Sequence, residues 1–275
     1  MSSQNRRSLL KNACGLGIAA SLGAVASPLA GCGSGSADAA PTPLDYVYTP
    51  LDVEAARKRG HFEYESGLEC CEGAFKAIIG LMEEQVGAPF TGFPTKMMRY
   101  GAGGIAGFAT LCGALNGSCA AISLMTETAD AKALSAELLS WYAQEPLPTD
   151  QSNYYAVNHE FEAPEYMDIE IPQSVAGGNL CHQSVTNWCT TNGYASGCPE
   201  RHARCGRLCG DVAAKAVELL NAHYDESFVS AYPLPADAAG CRACHKKGTD
   251  AASGQFTRGK MDCRTCHVEP TITDH

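Results

Sequence analysis

Positive charge is the first thing this chain is short of. Twenty lysines and arginines face thirty aspartates and glutamates, which leaves a net charge of −10. A phosphate backbone would be repelled by such a chain, so nucleic acid is excluded as a partner. Charged residues are few overall, 18% against 45% hydrophobic, which describes a globular chain and excludes a disordered one. A dedicated acid–base constellation is also missing, and this weighs against an enzyme. The apolar stretch from Ala13 to Ala30 is rich in small residues and broken by Pro28, so it suits a cleavable signal better than a membrane anchor.

Cysteine, by contrast, is in excess. Fifteen in 275 residues is far above ordinary usage, so bonding to metals, haem or other cysteines must govern the chain. Asn5-Arg6-Arg7-Ser8-Leu9-Leu10-Lys11 ahead of the small apolar stretch reads as a twin-arginine export address, a route for already folded cargo. Leu29-Ala30-Gly31-Cys32 reads as a lipobox that would lipidate Cys32, with ordinary cleavage near Ala26 or Ala30 as the alternative. The expected location is therefore periplasmic or otherwise extracytoplasmic. The expected division is a signal and lipobox over 1–31, a flexible linker over 32–50, a helical cysteine-rich domain over 51–225 and a dihaem domain over 226–275.

The most specific signal lies near the C-terminus. Cys241-Arg242-Ala243-Cys244-His245 and Cys263-Arg264-Thr265-Cys266-His267 are two complete CxxCH motifs. Two thiols three positions apart can form thioethers to the vinyl groups of one haem, and the histidine that follows reaches the iron. The segment from Tyr232 onward shows little helical or strand periodicity and cannot bury much apolar surface alone; two macrocycles would supply the missing core. His245 and His267 are the expected proximal ligands. For the sixth positions the candidates are His182, His275 and His61, with Met261 as the thioether alternative. An open sixth position would instead give small-molecule reductase or peroxidase chemistry.

Between Leu51 and Tyr224 the periodicity is helical. Leu68, Cys71, Phe75, Ile78, Ile79 and Met82 form one apolar stripe that should end at Gly87 before Pro89. Further helices are expected over Leu111–Met125, Ala131–Ala143, Cys181–Cys189 and Glu200–Tyr224, with a long connection from Leu147 to Gln173. Nine cysteines belong to this region: Cys70, Cys71, Cys112, Cys119, Cys181, Cys189, Cys198, Cys205 and Cys209. Projecting from several helices, they could ligate an iron–sulfur cluster, pair as disulfides, or fill space as buried thiols. Export in a folded state favours the first, because a cluster must be inserted before translocation.

Cys70-Cys71-Glu72-Gly73-Ala74-Phe75, Cys112-Gly113-Ala114-Leu115-Asn116-Gly117, Cys181 to Cys189 and Arg204-Cys205-Gly206-Arg207-Leu208, taken with the two CxxCH motifs, resemble split-Soret cytochrome c. The resemblance spans roughly Leu51 to His267 and implies a homodimer with two haems c per subunit, stacked into one cluster of macrocycles. It also implies a [2Fe–2S]-type centre held by Cys70, Cys112, Cys181 and Cys205, with Cys189 as a substitute. The reading is a mainly α protein, a helical bundle followed by a small irregular c-type dihaem segment, serving electron transfer to redox partner proteins. A redox sensor module is the remaining rival.

Overall fold

A computed structural model describes residues 45–164, 167–265 and 267. Arg6, Arg7, the stretch to Ala30, Cys32, the linker as far as Leu44, Cys266 and His275 lie outside the described residues.

Eight α-helices carry the described chain: α1 (Val53–Glu63), α2 (Glu69–Val86), α3 (Gly113–Met125), α4 (Thr128–Gln144), α5 (Asp150–Val157), α6 (Cys181–Asn192), α7 (Pro199–Tyr224) and α8 (Ala236–Cys244). A π-helical turn, Tyr64–Leu68, joins α1 to α2, and a 3-10 helix, Thr95–Gly101, precedes α3. Strand content is one two-residue pair, β1 (Pro146–Leu147) antiparallel to β2 (Ser174–Val175). Among the described residues no helix is long and apolar enough to cross a membrane.

The local chemistry explains most boundaries. Asp52 caps α1 by accepting from the Ala55 amide at 2.7 Å. Gly87 ends α2 at φ 77°, where a side chain would be strained, as its place before Pro89 predicts. Pro199 occupies the first turn of α7, behind Cys198 as cap. Apolar faces then meet in one core, with Ile78 and Met82 of α2, Leu115 and Ile122 of α3, Leu134 and Leu138 of α4, and Val212, Val217 and Leu220 of α7 fully buried. Removing such side chains from water is the dominant stabilising term.

Two sequence expectations need correction. Leu147 to Gln173 is not a plain connection, because it contains α5. That helix has no apolar stripe to betray it and is held by polar bonds instead. Thr149 caps it at 3.2 Å to the Ser152 amide, and Asn153 exchanges hydrogen bonds with Ile171 at 2.9 and 3.0 Å. The buried Asp211 carboxylate accepts from the Thr149 amide at 2.8 Å and the Ser152 hydroxyl at 2.6 Å, and pairs with Arg57, tying α1, α5 and α7 together. The second correction is α8, nine residues of helix within the segment read as irregular. Its alanines favour helix without giving a burial pattern.

The tail from Ser230 is tied back to the bundle by Glu137 of α4. That buried carboxylate accepts from the Ser230 hydroxyl at 2.6 Å and from the Ala231 and Tyr232 amides at 2.8 and 3.0 Å. The Tyr232 hydroxyl adds a bond to Glu145 at 2.6 Å, and Gln144 reaches the Pro233 carbonyl at 3.1 Å.

Candidate metal centre

Four of the nine cysteines of the helical region line one small cavity of about 30 Å³: Cys70, Cys112, Cys181 and Cys205. Each comes from a different helix or its cap. Cys70 is the second residue of α2, Cys112 caps α3, Cys181 opens α6, and Cys205 lies in the second turn of α7. A short backbone pairing sets two of them side by side. Leu111 bridges Leu180, the Cys112 amide donates to the Asn179 carbonyl at 2.9 Å, and the Cys181 amide donates to Thr110 at 2.6 Å.

The glycines around Cys112 have a mechanical reason. A Cβ on Gly113 would collide with the Cys70 sulfur, and one on Gly117 would collide with the Cys71 carbonyl. The first clears room for a thiol, the second lets α2 and α3 approach. Ahead of Cys112 runs a left-handed loop, with Gly103, Gly104, Ile105, Ala106 and Gly107 all at positive φ. The Gly103 amide of that loop offsets part of the rise that burial imposes on the Cys70 thiol.

Burial raises the thiols of Cys70 and Cys112, and pushes Cys181 up to about 11; neighbouring thiols add to this as like charges. Left alone, these sulfurs are protonated at neutral pH. The surroundings nonetheless favour negative charge. Three of the four sulfurs sit at helix N-termini. Arg204 is 1% exposed, and its described polar partner is the Ser184 hydroxyl at 2.9 Å, with Nε unpartnered and the Trp188 ring 5.7 Å away. Ser184 shares a 2.7 Å hydrogen bond with the Tyr142 hydroxyl, which donates to the Cys112 sulfur at 3.4 Å. Arg201 reaches the Cys205 sulfur at 4.0 Å. A buried guanidinium does not deprotonate and requires a counter-charge. The thiols are the groups positioned to supply it.

As placed, no three cysteine, histidine or carboxylate side chains among the described residues close on a single metal point. The donor set itself fits iron: four sulfurs around one cavity with a buried cation behind them. Cys189 does not line this cavity, and neither do Cys71, Cys119, Cys198 and Cys209. Cys71 and Cys209 are fully buried in the core. Sequence reasoning missed Arg204, Tyr142 and Ser184, since nothing in a linear pattern says that a helical arginine has been taken out of water.

In the tail, Cys241 and Cys244 occupy the last turn of α8 and His245 caps it. Three-residue spacing sets both thiols on one helix face. The second motif makes a similar turn, with the His267 amide donating to the Cys263 carbonyl at 2.8 Å. The Cys263 thiol is raised by burial and by the nearby Cys241 thiol, so the two motifs lie near each other. His245 Nδ1 lies 3.3 Å from the Gly254 carbonyl. A proton on Nδ1 leaves Nε2 as the metal-binding nitrogen. The Thr265 methyl group lies beside Gly177, four residues ahead of Cys181. Of the sixth-ligand candidates, His182 is exposed at the second position of α6. His61 is buried, with Nε2 3.6 Å from Glu65 and its ring 4.5 Å from that of Phe161.

A helical body that sets four cysteines around one cavity, joined to paired CxxCH turns, defines a cysteine-rich redox protein. Residues 68–219 match the family described as putative redox-active protein (C_GCAxxG_C_C). The chain is 36% identical over 212 residues to split-Soret cytochrome c of Desulfovibrio desulfuricans, which covers 76% of this chain and 72% of that protein. A solved structure, described as a novel iron centre in the split-Soret cytochrome c from Desulfovibrio desulfuricans, is similar at a TM-score of 0.72 and 34% identity. The similarity covers 83% of this chain and 92% of that one. The chain belongs to the split-Soret cytochrome c family and is a haem or iron redox protein.

Proposed function

We propose that the chain is an exported one-electron carrier with two haems c, at Cys241/Cys244 and Cys263/Cys266, and an iron–sulfur centre of the [2Fe–2S] type at Cys70, Cys112, Cys181 and Cys205. The observation that carries this reading is the cavity lined by those four thiols beside a buried arginine without a carboxylate partner among the described residues. Thiolate ligation would give Arg204 its counter-charge, and Arg204 in turn would stabilise the added electron. When bound, haem and iron–sulfur groups supply reversible one-electron chemistry, while the chain sets spacing, ligands and polarity. His245 and His267 hold the proximal positions, and His182, His275 and His61 are the sixth-ligand candidates. The nearness of Thr265 to the segment before Cys181 supports a short path between the two regions.

The same reading includes twin-arginine export, a lipid on Cys32, a homodimer, and a basic face of Arg242, Lys246, Lys247, Arg258, Lys260 and Arg264 for an acidic redox partner. The test is an iron and haem count on natively matured protein, with EPR of the reduced form. Two haems and further non-haem iron per chain are expected; haem iron alone would overturn the cysteine centre. Arg204→Met should lower the potential of that centre on the order of 60 mV, the one-electron equivalent of a tenfold shift in equilibrium.

A further inference from the structure

Arg207 poses again, one turn further along α7, the problem that Arg204 poses at the thiol cavity. It is 1% exposed, and burial lowers its pKa to about 10, which leaves it charged at neutral pH. Its terminal nitrogens donate to the Ala203, Met167 and Ile169 carbonyls at 3.3, 3.0 and 2.8 Å, and its Nε is unpartnered. Carbonyls offer only dipoles, whereas a buried cation calls for a full negative charge. The two carboxylates whose charge acts on it, Glu65 and Asp211, are engaged elsewhere. Asp211 pairs with Arg57 and accepts from Thr149 and Ser152. Glu65 faces His202 at 3.3 Å and His61 at 3.6 Å.

A cavity of about 230 Å³ lies against this arginine. His61, Glu65, His202 and Arg207 make its polar wall, and Ala156, Met167, Pro199 and Ala203 make its apolar wall. These residues come from the end of α1, the π-helical turn, α5, the segment after it and the N-terminal half of α7. Gly206 permits the approach, because a Cβ there would run into the Glu65 carboxylate and the His61 ring. The Tyr64 hydroxyl lies 3.3 Å from His202 Nδ1 and holds that ring with Nε2 towards Glu65. π-Helical turns are rare and recur at functional sites.

We infer that this cavity binds a short-chain carboxylate, with its carboxyl group against Arg207 and its hydrocarbon tail against Met167, Pro199 and the two alanines. The ligand's charge supplies what the carbonyls around Arg207 lack. Glu65 carries charge of the same sign, but it presents its oxygens to two imidazoles, which screen the incoming group from it. A water molecule's share of liquid volume is about 30 Å³, so the space suits a ligand of about seven non-hydrogen atoms. A long fatty acid is too large for it, and a bare inorganic anion would leave the apolar wall uncovered. None of the lining residues is shared with the thiol cavity, so binding here does not depend on iron there.

The test is equilibrium dialysis of the full chain, purified with its cofactors, against radiolabelled butyrate. One butyrate per chain should be retained saturably and be displaced by excess unlabelled butyrate. Butyramide, which has the same shape without the charge, should not displace it. Arg207→Met should weaken retention at least tenfold while the far-ultraviolet dichroism and the visible absorbance stay unchanged. The butyramide comparison is made on the unsubstituted chain, so it decides the question even where Arg207→Met does not fold. Absence of saturable retention, equal displacement by butyramide, or undiminished retention by folded Arg207→Met would each overturn the inference.

Discussion

Between Val53 and Tyr224 the cysteines are held by helices that pack on one another, and the apolar core exists before any sulfur is considered. From Tyr232 onward the thiols sit on one short helix and a turn, with Cys244 exposed and Phe256 74% exposed. The same residue type thus works under opposite conditions. In the body, tertiary packing decides which sulfurs meet. In the tail, spacing along five residues decides it, and packing has little to hold until a large apolar group arrives. A preformed scaffold can gather ligands from distant positions, whereas an unpacked segment must carry them as a contiguous motif.

Four variants would break or sharpen this contrast, from the largest effect to the smallest. Changing Cys241, Cys244, Cys263 and Cys266 to alanine should abolish covalent haem, read as visible absorbance of acid-extracted protein, while far-ultraviolet dichroism of the body persists. Loss of the helical signal as well would show that the body depends on the tail. Leu115→Ala, at a fully buried position between α2 and α3, should cost about 2–5 kcal/mol in chemical denaturation without altering the tail's haem stoichiometry.

The third concerns pH. Burial acts to raise Glu65, but its ion-pair contacts with His202 at 3.3 Å and His61 at 3.6 Å outweigh it and hold its carboxyl down at about 2. A folded value below the unfolded one means that its contribution is present above the ordinary value of 4.5 and lost as pH falls from there towards 2. Glu65→Gln should remove part of that acid sensitivity from denaturation curves, on the order of 1–2 kcal/mol after solvent screening, and an unchanged pH profile would refute the assignment. Last, Glu137→Gln weakens three hydrogen bonds that tie Ser230, Ala231 and Tyr232 to α4. It should cost about 1–3 kcal/mol and raise amide exchange from Ser230 to Tyr232. Equal exchange in both proteins would mean that the tail is anchored elsewhere.

Much of the fold was legible in the chain. The stripe from Leu68 to Met82, Gly87 before Pro89, Pro146 after Ala143 and Pro199 ahead of Glu200 mark helices that the structure contains within a few residues. These signals are local, and local chemistry enforces them. The π-helical turn at Tyr64–Leu68 and helix α5 were not legible, because one is a kink at Gly67 and the other is held by Thr149, Asn153 and Asp211. The resemblance to known proteins picked out Cys70, Cys112, Cys181 and Cys205 but kept Cys189 as a substitute, and only the cavity set Cys189 apart, since spacing alone left all nine in play.

By itself, then, the sequence determined the two CxxCH turns, the helical class and the net negative charge, because each depends on composition or on residues a few positions apart. Tertiary structure alone decided which thiols share a cavity and that Arg204 lies buried beside them. Burial is a property of what surrounds a side chain, and those surroundings come from three separate helices, α4, α6 and α7.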